Sequence, residues 1–153
     1  MDDNTDKLLF KRNNIFFDWK EEKYMALLSE TPRIFWAGDS TVKQNDFTSY
    51  PQCGIGQGFS LFVKKEILIV NRAENGRSTK SFIDEGRLEF IKENIRKGDF
   101  LFVQFGHNDE KNDPLRYTDP QGSFKDNLRT FIKVAHDVGA YPLLITPLYR
   151  RLF

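Results

Sequence analysis

Three short clusters in this chain combine residue types that can do chemistry. They are Gly38-Asp39-Ser40-Thr41, Asn71-Arg72-Ala73-Glu74-Asn75-Gly76-Arg77-Ser78 and Gly106-His107-Asn108-Asp109. Ser40 follows a glycine-led junction, where a hydroxyl stands clear of the backbone and the next N–H groups can face the same space. Acyl transfer needs such an oxygen nucleophile with donors waiting for the oxyanion that develops on attack. Gly76 can offer its N–H because no side chain shields it, and Asn108 can offer its side-chain N–H₂. Each residue alone has a plainer reading. Ser40 suits a turn or cap, Gly76 a turn glycine, and Asn108 a loop hydrogen-bonder. Only their joint placement points to a site.

Each cluster follows an apolar run that reads as a strand. Arg33 to Trp36 runs into the first cluster, Ile67 to Asn71 into the second, and Phe100 to Phe105 into the third. A fourth strand is expected from Tyr141 to Ile145, stopped by Thr146-Pro147. Helices are expected over Gly58 to Lys65, from Ser78 onward, and over Leu88 to Ile95 with Leu88, Ile91 and Ile95 on one face. Asn112 to Gly122, with Pro114 and Pro120, reads as a loop. Ser123 is expected to cap a long helix whose stripe is Phe124, Leu128, Phe131, Ile132 and Ala135, ended by Gly139. Strands alternating with helices predict an α/β fold with a mostly parallel sheet, in which ligands bind beyond the carboxyl ends of the strands. The three clusters lie there. Residues 1–31 differ: rich in charge, without Gly or Pro, and with an amphipathic pattern from Trp19 to Leu28. They read as an arm or the end of a preceding module, which leaves 32–153 as the domain.

Composition narrows the function classes. The 153 residues are 39% hydrophobic and 29% charged, with 15 Phe, which suits a packed globular domain and excludes disorder. Lys and Arg (23) nearly balance Asp and Glu (22), so there is no global field to draw in nucleic acid or an anionic membrane. No apolar run approaches the roughly 18 residues of a membrane span. The N-terminus MDDNTDKLLF has no secretory pattern, and the single cysteine, Cys53, can form no internal disulfide, so a cytoplasmic setting is the default. No cofactor or metal is expected.

The clusters, in this order and on these elements, resemble the SGNH (GDSL-like) hydrolases over residues 33–151. The finer pattern adds Val42, Gly54-Ile55-Gly56-Gln57, Gln104-Phe105 before the third cluster, and Thr146-Pro147 followed by Arg150-Arg151. It is similar to the rhamnogalacturonan acetylesterase branch, except that Ile55 stands where that branch usually has Trp. The resemblance implies a flavodoxin-like three-layer sandwich and a serine esterase acting on acetylated plant cell-wall polysaccharide. It implies Ser40 as nucleophile and Gly76 and Asn108 as the oxyanion hole. It leaves Asp39, Gln57, Arg77, His107 and Asp109 as substrate-binding or supporting residues.

The family's Asp-x-x-His block, which supplies base and acid, is missing from this sequence. The only histidines are His107 and His136. In the resembling family the residue at His107 is a supporting one, and His136 reads as the end of a helix. The expectation is therefore a chain lacking its C-terminal part, weak or inactive as an esterase. Asp39 and Asp109 read as loop organisers through side-chain turns, Arg72 and Arg77 as either sugar-facing or structural, and Cys53 as a small packed residue. Rival readings are a non-catalytic remnant or sugar-binding module, with Tyr50 as a stacking aromatic, and a two-metal phosphoesterase built on Asp39, His107, Asn108 and Asp109. The second needs more histidines than two. Gly54-Ile55-Gly56-Gln57-Gly58 hints only weakly at phosphate cradling. The fourth strand is apolar, so its open edge is expected to be covered by the arm or by a second chain.

Overall fold

The computed structural model describes residues 31–149. The N-terminal arm and the helix expected from Trp19 to Leu28, Thr31 apart, lie outside the described residues. Four strands follow the apolar runs: β1 Ile34–Gly38, β2 Ile69–Asn71, β3 Phe100–Gln104 and β4 Tyr141–Leu144. Four α-helices accompany them among the described residues, the first a single turn. They are α1 Ile55–Gly58, α2 Thr79–Asp84, α3 Arg87–Asn94 and α4 Ser123–His136, with 3-10 turns at Phe47–Ser49 and Phe59–Leu61. All strand pairs are parallel, in the order β2-β1-β3-β4.

Alternation along β1 and β3 divides the core in two. Phe35, Ala37, Leu101 and Val103 face α2, α3 and α4, meeting Phe82, Leu88, Ile91, Phe131 and Ala135. Ile34 and Trp36 face the opposite way, with Val42, Ile69 and Ala73, against Phe59, Val63 and Phe102. On that second face Trp36, Phe59 and Phe102 pack edge to face, with centroids 4.9 to 5.6 Å apart. Each such pair adds about 0.5–1.5 kcal/mol beyond area burial. The α3 face is as expected: Leu88, Ile91 and Ile95 are all buried. Ser78 caps α2 in a reciprocal box with Ser81.

Several local expectations are corrected. Gly58 to Lys65 does not form one helix. The chain makes one turn of α1, tightens into the 3-10 turn at Phe59–Leu61, and leaves Lys64 and Lys65 outside any helix. The segment's apolar residues are committed to the second core layer, where Phe59 and Val63 pack. Ser123 is the first helical residue of α4 rather than its cap. Gly122 holds the cap position, and the Ser123 hydroxyl accepts from the Asp119 N–H behind it at 2.9 Å. Cys53 is exposed, not packed.

The base of the sheet is pinned by one buried carboxylate. Asp99 accepts from the Arg33 N–H at 2.8 Å, from Arg33 Nε and Nη2 at 3.1 and 2.6 Å, and from the Arg96 N–H at 3.0 Å. It locks the entry of β1 to the entry of β3, so their carboxyl ends emerge side by side. No helix among the described residues is long and apolar enough to cross a membrane.

Candidate active site

In a parallel sheet of this order, chain connections leave β1 in one direction and β3 in the other. The crevice at that reversal is where ligands settle. Gly38-Asp39-Ser40-Thr41 leaves β1 there, and Gly106-His107-Asn108-Asp109 leaves β3 beside it.

Asp39 organises the first turn. Its Oδ1 accepts from the Thr41 N–H and the Thr41 hydroxyl, both at 2.8 Å, and the same hydroxyl stands 3.0 Å from Gln104 Oε1 on β3. The carboxylate is buried, so it holds the turn rather than meeting solvent. Ser40 lies between. Among the described residues neither its hydroxyl nor its N–H enters a hydrogen bond. It lines a cleft of about 290 Å³ with Thr41, Asn45, Gln52, Cys53, Ile55, Asn75 and Leu148.

The Gly54-Ile55-Gly56 motif supports this turn by close packing. A Cβ on Gly54 would stand 2.1 Å from the Lys43 carbonyl oxygen, and one on Gly56 would stand 2.7 Å from Val42 O and Asn71 Nδ2. Without those side chains, Ile55 N–H donates to Thr41 O at 2.7 Å. Asn71 Nδ2 donates to Val42 O at 2.8 Å. The motif thus braces the serine turn, which explains its glycines without a phosphate.

Asn108 joins the clusters. Its Nδ2 donates to Arg77 O at 3.0 Å and lies 3.5 Å from Asp39 Oδ2. One amide therefore touches the neighbour of Ser40 and the neighbour of Gly76. Gly76 has φ +74, a left-handed conformation that glycine adopts freely, and its N–H has no partner among the described residues. Gly76 lines a second cleft, which shares Asn75 with the first. Asp109 is buried and accepts from the Thr79 N–H and hydroxyl (2.9 and 2.5 Å) and from the Thr118 hydroxyl (3.0 Å). Burial raises its pKa above the ordinary 3.8, against the pull of those donors. It ties the third cluster to α2 and does not reach a cleft.

His107 bridges the third cluster to the segment after β4. Its Nε2 lies 2.7 Å from the Leu148 carbonyl, which can only accept, so Nε2 carries the proton. Nδ1 is buried, without a hydrogen-bond partner, and 3.9 Å from Asp39 Oδ2. His107 therefore fixes Leu148, a wall of the Ser40 cleft. The Gln57 amide pairs with the backbone N–H and carbonyl of Asn45 at 3.0 and 3.3 Å. Arg77 donates to Asn75 O at 2.7 Å and to Glu85 at 2.9 Å, and it lines the Gly76 cleft.

Other candidates stand apart. Arg72 lines neither cleft; its guanidinium lies 4.0 Å over the Phe90 ring. Tyr50 is exposed and lines neither cleft, and His136 ends α4 in solvent. Among the described residues no group of three or more His, Cys, Asp or Glu converges as a metal-binding set. Sequence reasoning missed Leu148, Asn45 and Arg116 as cleft walls, since isolated residues in irregular segments carry no periodic signal. Thr118, nine residues from the Asp109 it holds, left no motif to read.

Comparison with known proteins finds relatives. The chain is 48% identical over 118 residues to the probable rhamnogalacturonan acetylesterase YesY of Bacillus subtilis, covering 76% of this chain and 54% of that protein. It is 40% identical over 127 residues to the rhamnogalacturonan acetylesterase RhgT of the same organism, covering 83% of this chain and 53% of that one. The crystal structure of B. subtilis protein YxiM superposes with a TM-score of 0.64 at 32% identity, over 76% of this chain and 33% of the other. Over the matched residues the chain is similar to these acetylesterases and to YxiM, in line with the SGNH resemblance. Its acetylesterase relatives are the homologues that the fine pattern around Ser40, Gly76 and Asn108 resembles, and its parallel sheet is the SGNH fold. No family model matches. The chain spans about half the length of the curated relatives it matches.

Proposed function

We propose that residues 32–149 carry the nucleophile and oxyanion side of a serine esterase. Its substrates are O-acetyl groups on plant cell-wall polysaccharide of the rhamnogalacturonan type. The observation that carries this reading is the Asn108 amide, which reaches the residues beside both Ser40 and Gly76. In the proposed reaction the Ser40 oxygen attacks the acetyl carbonyl. The carbonyl oxygen becomes an oxyanion facing the unpaired N–H groups of Ser40 and Gly76 and the second N–H of Asn108, which meets Asp39 only at 3.5 Å. The sugar hydroxyl departs, leaving acetyl-Ser40, and water then releases acetate.

The proton on Ser40 needs a base. No Asp-x-x-His occurs in the 153 residues. His107 Nε2 is a donor to Leu148, and Nδ1 is buried against Asp39 rather than in a cleft. The proposal therefore gives this chain, as it stands, slow turnover. Loss of a triad member leaves about 10³–10⁴-fold over water, from oxyanion stabilisation and binding.

The test is acetate release from acetylated rhamnogalacturonan oligosaccharide, followed by NMR, for the chain and for Ser40→Ala. Slow release by the first and none by the second supports the reading. Equal rates remove Ser40 from the reaction. A folded chain that binds the oligosaccharide without any release supports the sugar-binding reading instead.

A further inference from the structure

The cleft beside Gly76 holds about 370 Å³, within the range of small-ligand pockets, and is lined by Gly76, Arg77, Glu85, Asp113, Leu115 and Arg116 among others. Its hydrogen-bonding capacity is unequally used. Asp113 accepts from the Leu115 N–H at 3.0 Å and from Arg116 Nε at 2.6 Å. Glu85 Oε2 accepts from Arg77 Nε and Arg87 Nε, both at 2.9 Å. Both carboxyl pKa values are lowered, Glu85 first by its hydrogen bond from Arg77 and Asp113 first by the Leu115 N–H. Arg77 and Arg116 thus line the cleft with Glu85 and Asp113, while Arg87, outside the lining, also comes within 4.0 Å of Glu74. Both terminal nitrogens of Arg116 and Nη2 of Arg77 have no partner among the described residues. Arg116 Nη1 lies 3.8 Å from where a Gly76 Cβ would stand.

We propose that this cleft is a subsite for a sugar carboxylate, gripped by Arg116 and Arg77, that seats a uronate residue of an acidic polysaccharide next to the Ser40 cleft. The planar guanidinium presents paired donors at the spacing of a carboxylate's two oxygens, which a neutral sugar cannot match. Leu115, exposed, offers an apolar surface beside them for a ring face. Asn75 is shared by the two clefts, so a chain whose uronate sits at Arg116 lays an adjacent acetyl group toward Ser40. The inference rests on the esterase reading for its purpose, but the binding itself needs no turnover.

The experiment uses the full chain with two probes of one sugar, trigalacturonate and its fully methyl-esterified form, titrated by ¹H–¹⁵N NMR. The expected result is that the free acid binds at least about fivefold more tightly than the ester, the scale of one modest charge-assisted contact, with shifts at the Asn75, Gly76 and Leu115 amides. Arg116→Gln should erase that preference, while Arg129→Gln, on the exposed face of α4, should keep it. Equal affinity for acid and ester, binding of neither, a preference that survives Arg116→Gln, or shifts confined elsewhere overturns the subsite. The acid–ester comparison on the unmutated chain stands even if a variant misfolds. Acetate release that depends on Ser40 without any acid preference would sink the subsite and keep the esterase; acid preference without acetate release would do the reverse.

Discussion

At the residue scale, the site rests on groups that hold rather than react. Gly54 shows how tight that holding is. A methyl there meets backbone at 2.1 Å, which no side-chain rotation relieves. Gly54→Ala is predicted to cost about 3 kcal/mol, the upper end of overpacking penalties, measured by urea denaturation; a cost below about 0.5 kcal/mol would contradict the packing argument. Asp109 gives a pH signature. Burial raises its folded pKa above the 3.8 of the free group. As pH climbs past that value the unfolded chain releases its proton first, so the charge at Asp109 lowers stability until the folded carboxyl has also ionised. Glu74, Glu85 and Asp113, whose pKa values are lowered, act the opposite way, but they are common to the native chain and to Asp109→Asn. The stability of Asp109→Asn minus that of the native chain should therefore rise between about pH 4 and neutrality. Urea midpoints at a series of pH values check this, and a falling or flat difference would contradict it.

At the element scale, the order β2-β1-β3-β4 makes the site. It puts the β1 and β3 ends side by side, and Asn108 crosses from one to the other. Asn108→Ala removes a donor while leaving the strands in place. It is predicted to slow acylation of Ser40 by about 10²-fold, in line with the loss of one oxyanion donor. A rate within twofold of the native chain, with the fold intact by circular dichroism, would remove Asn108 from that role. Much of this was legible beforehand. The runs before Ser40, Asn71 and Gly106 carry β-branched and aromatic residues that announce buried strands, and Leu88, Ile91 and Ile95 repeat at helical spacing. The stretch after Gly58 was not legible. Its aromatics have helical spacing, but Phe59 and Val63 are drawn onto Trp36 and Phe102, and tertiary packing overrides the local pattern. The cleft walls at Leu148 and Arg116 were hidden too, because they come from irregular segments remote in sequence from the residues they face.

At the scale of the whole molecule, two features govern behaviour. β4 pairs only with β3 among the described residues, and it leaves Tyr141, Leu143 and Leu144 exposed. A bare apolar edge invites pairing with another chain. We predict concentration-dependent association that Leu144→Lys suppresses, read by light scattering; a monomer at all concentrations, identical in both proteins, would contradict this. The second feature is the proposed nucleophile, Ser40, in a sequence of 153 residues without an Asp-x-x-His. Under the account, imidazole supplied from solution replaces the absent base at Ser40. The most direct test is mass spectrometry of the chain after exposure to an activated acetyl ester with imidazole present. The account predicts an acetyl group on Ser40, absent from Ser40→Ala and strongly reduced in Asn108→Ala; acetylation scattered over the lysines, with none on Ser40, would contradict it.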